Sequence, residues 1–224
     1  MKKRIITAIL VLFQLPAYAG DAIEDGRFWF AYNLDYKIND SWKATIQLQP
    51  RWRNEGDNFD QMIYKPAIYY KLSPHASVGG GYEYLLTHPA GRANTHEQRL
   101  WEDFIYRFDL PSDVKLTART RLDQRRLEGK SDTAHRIREM LKLSVPVSAI
   151  EGLSLVFSDE YFLNVNNTDW GVVRGFDQNR IFAGVGYKFS EHTNVEFGYL
   201  NQYVNKRPID LENHVLSFTL NNQF

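Results

Sequence analysis

The sequence contains no cysteine, and beyond its amino terminus it has no long apolar run. The first absence excludes disulfide bonds. The second excludes a helical membrane protein, because a transmembrane helix needs about 20 consecutive apolar residues. An excess of one charge is also missing, since 27 Lys and Arg residues balance 27 Asp and Glu residues. A chain without a basic excess lacks the electrostatic signature of nucleic-acid binding, so nucleic acid is not an expected partner.

Aromatic residues, by contrast, are abundant. They make up 14% of the 224 residues, with 13 Tyr and 14 Phe, and little of the chain has helical periodicity. This combination is typical of an all-β protein. The length allows one domain or two small ones. Because no Pro-, Gly- or Ser-rich linker divides the sequence, we expect one domain.

The amino terminus has the pattern of a secretory signal peptide. Lys2, Lys3 and Arg4 precede an apolar stretch over 5–15, and a small-residue cleavage pattern ends at Ala19. The apolar stretch is too short to span a membrane as a helix. We therefore predict a signal peptide over 1–19 and a mature domain over 20–224.

Most of the mature chain alternates between apolar and polar residues with a period of two, which is the signature of β-strands. Trp42, Ile46 and Leu48, for example, alternate with Lys43 and Gln47. Candidate strands lie at 27–38, 41–53, 61–72, 76–86, 96–110, 114–126, 135–147, 153–164, 177–189, 193–204 and 212–224. Strands of soluble proteins are usually about five or six residues long. A tilted membrane-spanning strand needs about nine to eleven, so the predicted lengths favour a membrane barrel.

Short turns alternate with longer polar loops, which lie near 54–60, 87–95, 127–134, 165–176 and 205–211. This asymmetry is typical of bacterial outer-membrane barrels, whose short turns are periplasmic. Single-chain bacterial barrels have even strand numbers, so a count of eleven is anomalous. We predict an all-β transmembrane antiparallel β-barrel of 10–12 strands, with twelve preferred. Either 20–25 supply a short extra strand, or one of the candidate segments is wrongly split or merged.

The carboxyl-terminal strand ends in an aromatic residue, Phe224, and Leu216, Phe218 and Leu220 lie on the same face. This ending resembles the signal by which the barrel assembly machinery recognises outer-membrane barrels. The expected location is the bacterial outer membrane. The expected partners are the assembly machinery through Phe224, outer-membrane lipid and lipopolysaccharide.

The polar face of the predicted strands carries more cations than carboxylates, and in a membrane barrel this face lines the lumen. The predicted inward cations are Arg51, Arg53, Lys65, Arg99, Arg107, Arg119, Arg121, Arg125, Arg136, Arg138, Lys142, Arg180 and Lys188. The predicted inward carboxylates are Asp35, Glu83, Glu97, Asp103, Asp123, Glu160 and Glu196. Because low-dielectric walls of one charge attract ions of the other, we expect the lumen to pass or bind small anionic solutes.

The candidate lumen and anion-binding residues are Arg99, Trp101, Asp103, Arg119, Arg121, Asp123, Arg125, Arg136, Arg138, Glu160 and Arg180. Trp101 either stacks on a solute whose acidic group Arg99 binds, or fills the lumen and is held by arginines through cation–π contacts. Glu160 is expected to pair with Arg180 on the next strand.

Two other functions remain open. The barrel could be closed and structural, or an interaction barrel, with a lumen filled by Arg–carboxylate pairs. An outer-membrane hydrolase is the weakest alternative, because no nucleophile with a base and an orienting group is legible. We predict no catalytic residue, no metal site and no cofactor.

Several segments together resemble an uncharacterised family of bacterial outer-membrane proteins, domain of unknown function 2490. The matching segments are 97–102, 119–125, 136–138, 176–180, 184–187 and 198–202, with the residues EQRLWE, RTRLDQR, RIR, FDQNR, GVGY and GYLNQ. They span most of the mature chain in the same order. The resemblance implies an outer-membrane barrel of unassigned activity and carries no catalytic residue to this sequence.

Overall fold

A computed structural model describes residues 22–224 as a closed barrel of eleven β-strands. The predicted signal peptide lies outside the described residues. The strands are β1 Ala22–Lys37, β2 Trp42–Arg53, β3 Asn58–Lys71, β4 Ala76–Thr87, β5 Thr95–Asp109, β6 Lys115–Leu127, β7 Thr133–Pro146, β8 Leu153–Asn164, β9 Gly175–Lys188, β10 Thr193–Val204 and β11 Asp210–Gln223. A three-residue 3₁₀ helix at Pro111–Asp113 joins β5 to β6. No helix within 22–224 is long and apolar enough to cross a membrane.

Consecutive strands pair antiparallel around the barrel, and β1 closes it by pairing parallel to β11. The strand number falls within the expected 10–12, but the preferred number of twelve is wrong. Residues 22–25 do not form a separate strand, because they extend β1 to 16 residues. An odd number of alternating strands leaves the first and last pointing the same way. The closing pair must therefore be parallel, with a register from Ala22↔Asp210 to Asp35↔Gln223.

The connections divide between two ends of the barrel. The short-turn end carries the connections 38–41, 72–75, 110–114, 147–152 and 189–192. The long-loop end carries 54–57, 88–94, 128–132, 165–174 and 205–209. Only 88–94 and 165–174 are longer than every turn at the other end, so the predicted alternation holds in part. The loops 54–57, 128–132 and 205–209 are shorter than predicted, because β3, β7 and β11 begin earlier than predicted. Phe224 lies at the short-turn end, where its amide donates to the Asp35 carbonyl at 2.9 Å.

The alternation within each strand separates an apolar outer face from a polar inner face. On β5 and β6 the side chains of Leu100 and Leu122 are 58% and 46% exposed, whereas Trp101, Arg121 and Asp123 are each 2% exposed. The buried interior of the barrel is therefore charged, and its large exposed side chains are apolar. This is the reverse of a soluble barrel, whose apolar residues face inward.

Glycines on β4 make room for large inward side chains. A Cβ atom at Gly81 would lie 2.6 Å from Cζ2 of Trp101 and 2.4 Å from the Pro66 carbonyl oxygen. A Cβ atom at Gly79 would lie 2.3 Å from the ring of Tyr69. These two glycines leave space for the rings of Tyr69 and Trp101, whose centroids lie 6.1 Å apart.

The parallel closure predicts which engineered cysteines can form a disulfide bond. Asn33 and Asn221 are direct partners across the β1–β11 pair, and their side chains hydrogen bond at 2.8 Å. In this chain without native cysteine, the double variant Asn33→Cys/Asn221→Cys should cross-link on mild oxidation, because directly paired positions meet the distance requirement of a disulfide. The cross-linked species would be identified by its altered mobility in non-reducing electrophoresis.

The matched control is Asn33→Cys/Gln223→Cys, in which the second cysteine lies two residues further along β11, opposite Asp35. It should cross-link much less. Equal cross-linking of both pairs, or of the control alone, would contradict the register.

Candidate functional site

The lumen wall formed by β4 to β8 carries a network of arginine–carboxylate pairs. At the long-loop end, Arg99 donates from Nη1 to Glu83 at 2.5 Å and from Nε to Glu97 at 2.6 Å. Arg125 donates from Nε to the same Glu97 oxygen at 2.6 Å. Two of the predicted anion-binding arginines are thus already occupied by carboxylates of the protein.

Nearer the short-turn end, Arg121 binds Asp103 through two parallel hydrogen bonds of 2.6 Å. The guanidinium group of Arg121 lies 3.9 Å from the centroid of a Trp101 ring, and Tyr69 donates its hydroxyl to Asp103 at 2.9 Å. The side chain of Asp103 is fully buried. Trp101 therefore packs within this cluster beneath a paired arginine, with no broad exposed face toward the lumen.

The third cluster joins β6, β7, β8 and β9. Arg136 bridges Asp123 at 2.7 Å and Asp177 at 2.9 Å. Arg138 donates to Glu160 at 2.7 and 2.9 Å. Arg119 also donates to Glu160.

The pair predicted between Glu160 and Arg180 is loose, at 3.9 Å. Arg119 and Arg138 hold the Glu160 carboxylate more closely, because they reach it from β6 and β7. One carboxylate thus serves three arginines, and this part of the lumen keeps an excess of positive charge.

The opposite wall, formed by β9, β10, β11, β1 and β2, is lined largely by amides and apolar groups. Asn213 donates to Gln202 at 3.1 Å, and Gln202 donates to Gln178 at 2.5 Å. Arg51 emerges from this wall and stacks on Trp29, with its guanidinium carbon 3.8 Å from the ring centroid. This arginine was among the predicted inward cations but was not singled out as a binding residue.

Two inward carboxylates escaped prediction from the sequence, the buried Asp60 and the partly buried Asp177. Asp60 accepts hydrogen bonds from Arg27 at 2.8 Å and Arg53 at 3.3 Å. Asp60 falls in the predicted loop 54–60, and a bulge between Arg51 and Trp52 shifts the register of β3 against β2, so alternation does not identify Asp60 as inward. Asp177 is the first residue of the predicted strand 177–189, where alternation with Arg180 places it outward. A second register shift, between Phe162 and Leu163, interrupts the alternation there.

Two cavities occupy the lumen. One, of about 840 Å³, lies toward the short-turn end and includes Asp35, Lys71 and Phe224 in its lining. The other, of about 610 Å³, lies toward the long-loop end and includes Arg51, Arg99 and Arg180. Gln47, Lys65 and Arg119 line both cavities, so these three side chains mark the junction between them.

The β8–β9 loop folds over the long-loop end. The ring of Trp170 lies 5.3 Å from the guanidinium carbon of Arg125, and its Nε1 donates to the Asp132 carbonyl at 3.1 Å. Asp169 accepts a hydrogen bond from the Ser131 amide at 3.2 Å. These contacts tie the loop 165–174 to the loop 128–132 above the lumen.

The Arg121–Asp103 pair generates a stability prediction. Arg121→Gln removes the charge that compensates a fully buried carboxylate, so we expect the free energy of unfolding to fall by about 3–5 kcal/mol. The double variant Arg121→Gln/Asp103→Asn should recover most of this loss, because it removes the stranded charge as well. Both effects are measurable by denaturant titration of the folded barrel in detergent. Arg126→Gln, which alters an exposed outward residue, is the control; a loss as large as that of Arg121→Gln would argue against the explanation.

Comparison with known proteins places the chain in a family without assigning a reaction. The family described as protein of unknown function (DUF2490) matches residues 26–213. An uncharacterised protein of Methylorubrum extorquens is 31% identical over 220 residues, which cover 97% of this chain and 96% of the relative. No solved structure matches. The matched range includes every arginine and carboxylate of the network described above, and the chain belongs to the DUF2490 family.

Proposed function

We propose that this protein is a bacterial outer-membrane β-barrel whose cationic lumen passes or binds small anionic solutes. The observation that carries the proposal is the charge of the long-loop cavity. Nine cationic side chains and five carboxylates line this cavity. The cations are Arg27, Arg51, Lys65, Arg99, Arg119, Arg125, Arg136, Arg138 and Arg180, and the carboxylates are Asp60, Glu83, Glu97, Glu160 and Asp177.

The outer face of the barrel supports a membrane location. Ile46, Ile68 and Leu216 are each about half exposed, at 48%, 50% and 48%. Aromatic side chains such as Tyr36 and Trp42 lie near the strand ends, where interfacial girdles are found in membrane barrels. Strands of 12 to 16 residues exceed the nine to eleven or so that a tilted strand needs to cross a bilayer.

The carboxyl terminus supports assembly in the outer membrane. The ring of Phe224 is 65% exposed at the short-turn end and stacks on His192 at 6.1 Å. An exposed aromatic residue at this position is accessible to the barrel assembly machinery. In this arrangement the short turns face the periplasm, and the long loops face lipopolysaccharide and the exterior.

Passage of a solute depends on the junction of the two cavities. Lys65 lies 3.5 Å from Glu83, beyond ordinary hydrogen-bond distance, and its ammonium group is 5.2 Å from the centroid of a Trp101 ring. Its charge is thus less tightly paired than that of Arg121. A cation at the point where two cavities meet would favour anions over cations in any current that crosses it.

The alternative is a closed barrel without a solute pathway. It is favoured by the density of the ion-pair network on β4 to β8, in which most arginines already bind carboxylates. Its loops would then be the functional part. Arg–carboxylate pairs of this kind fix the positions of the side chains that form them, and this structural role requires no flow of ions through the lumen.

Current recordings in planar lipid bilayers distinguish a solute pathway from a closed barrel. The purified barrel should give discrete current steps and a reversal potential displaced toward that of chloride across a salt gradient. Lys65→Gln should reduce the anion preference, because it removes the cation at the junction. Arg126→Gln, on the outer face, should leave the preference unchanged.

A barrel that is folded, as judged by heat-modifiable migration, yet gives no current would overturn passage and favour the closed alternative. An unchanged reversal potential in Lys65→Gln would remove the role given to that residue.

A further inference from the structure

Among the arginines that line the long-loop cavity, the two with the weakest carboxylate pairing lie together against one tryptophan. Arg51 is 9% exposed and has no carboxylate within 4.0 Å among residues 22–224. Its Nη1 and Nη2 donate to neutral amides, at 3.0 Å to Gln61 and 2.9 Å to Gln49. Its Nε has no hydrogen-bond partner in the described chain. A buried guanidinium group without a counter-ion is costly, so this charge calls for compensation.

Arg180 approaches the same place from β9. Its guanidinium carbon lies 5.1 Å from the Trp29 ring centroid, against 3.8 Å for Arg51. Among residues 22–224, the one carboxylate within 4.0 Å of it is Glu160 at 3.9 Å, which is shared with Arg119 and Arg138. The Nε of Arg180 also has no hydrogen-bond partner within 22–224. Two incompletely neutralised guanidinium groups are therefore held against one indole.

Backbone pairing explains why these groups meet. Trp29 on β1 is the direct partner of Arg51 on β2, and both point inward. The ring of Trp29 is 3% exposed, and its Nε1 is also without a partner among the described residues. All three side chains line the cavity of about 610 Å³. Arg51, Trp29 and Arg180 thus border one space, and each carries a buried donor that no residue of 22–224 satisfies.

The surroundings define the class of ligand. Planar guanidinium groups suit carboxylate and phosphate oxygens, which accept their parallel N–H donors. The same cavity is lined by the apolar side chains of Ile63, Leu85 and Leu200. A volume of about 610 Å³ lies in the range of small-molecule sites and exceeds what an inorganic ion requires.

We propose that Arg51, Trp29 and Arg180 form a binding site for a small organic anion, in which the two arginines hold a carboxylate or phosphate group and the apolar lining contacts the rest of the molecule. This site refines the proposed function by locating the anion on the wall opposite the ion-pair network. Binding itself requires no through-passage, because the site belongs to one cavity.

The test is calorimetric titration of the purified, folded barrel in detergent at low salt. The probes are phenyl phosphate and benzoate, with benzyl alcohol as an uncharged comparison. We expect saturable binding of at least one anionic probe and none of benzyl alcohol. Arg51→Gln and Arg180→Gln should each weaken that binding at least about tenfold, because each removes charged hydrogen bonds. Heat-modifiable migration in electrophoresis establishes that each variant is folded. If one variant does not fold, the other still tests the site.

Arg126→Gln is the matched control, since it removes an arginine from the outer face and should bind as the original protein does. Binding that is the same in Arg51→Gln and Arg180→Gln as in the original protein, or no binding of either anion, would overturn the site. Conductance without such binding would leave the proposed function standing and overturn this inference. Arginine-dependent binding in a barrel that carries no current would support the site and exclude passage.

Discussion

Five buried carboxylates on β4 to β8 are each held by at least one arginine, and the interior of the barrel depends on this compensation. Glu83, Glu97, Asp103, Asp123 and Glu160 all accept from guanidinium groups on neighbouring strands. In a narrow barrel with a low-dielectric wall, an uncompensated charge of either sign is expensive. The pairs also link adjacent strands, so charge compensation and barrel closure support one another.

The network is unevenly distributed, and this unevenness gives the lumen its chemical character. The carboxylates concentrate on β4 to β8, whereas the wall from β9 through β1 to β2 presents amides, apolar groups and the Arg51–Trp29 pair. Positive charge that the network does not neutralise therefore gathers toward one side. An anion entering the cavity would meet paired arginines on one wall and incompletely paired arginines on the other.

Much of the fold was predictable from the sequence, because strand alternation is a local property. The inward positions of Arg121, Asp123 and Arg138 followed from a period of two. The number of strands was harder to predict. The sequence contains eleven candidate strands, but the even-number rule for bacterial barrels favoured twelve. The structure keeps eleven because β1 and β11 can pair in parallel, a long-range contact without a local signal.

The candidate site was predicted only in part. Asp60 was missed because the predicted loop 54–60 included it, and a bulge changes the register of β3 at this point. Glu160 pairs with Arg180 as predicted, at 3.9 Å, but the closer hydrogen bonds from Arg119 and Arg138 were not predicted. The sequence alone determined which side chains face inward wherever the alternation is unbroken, and that cations exceed carboxylates there. Only the tertiary structure decided which charges are paired and which, such as Arg51, are left with neutral partners. The reason is that closure and register set the distances between side chains on different strands, and electrostatic compensation depends on those distances.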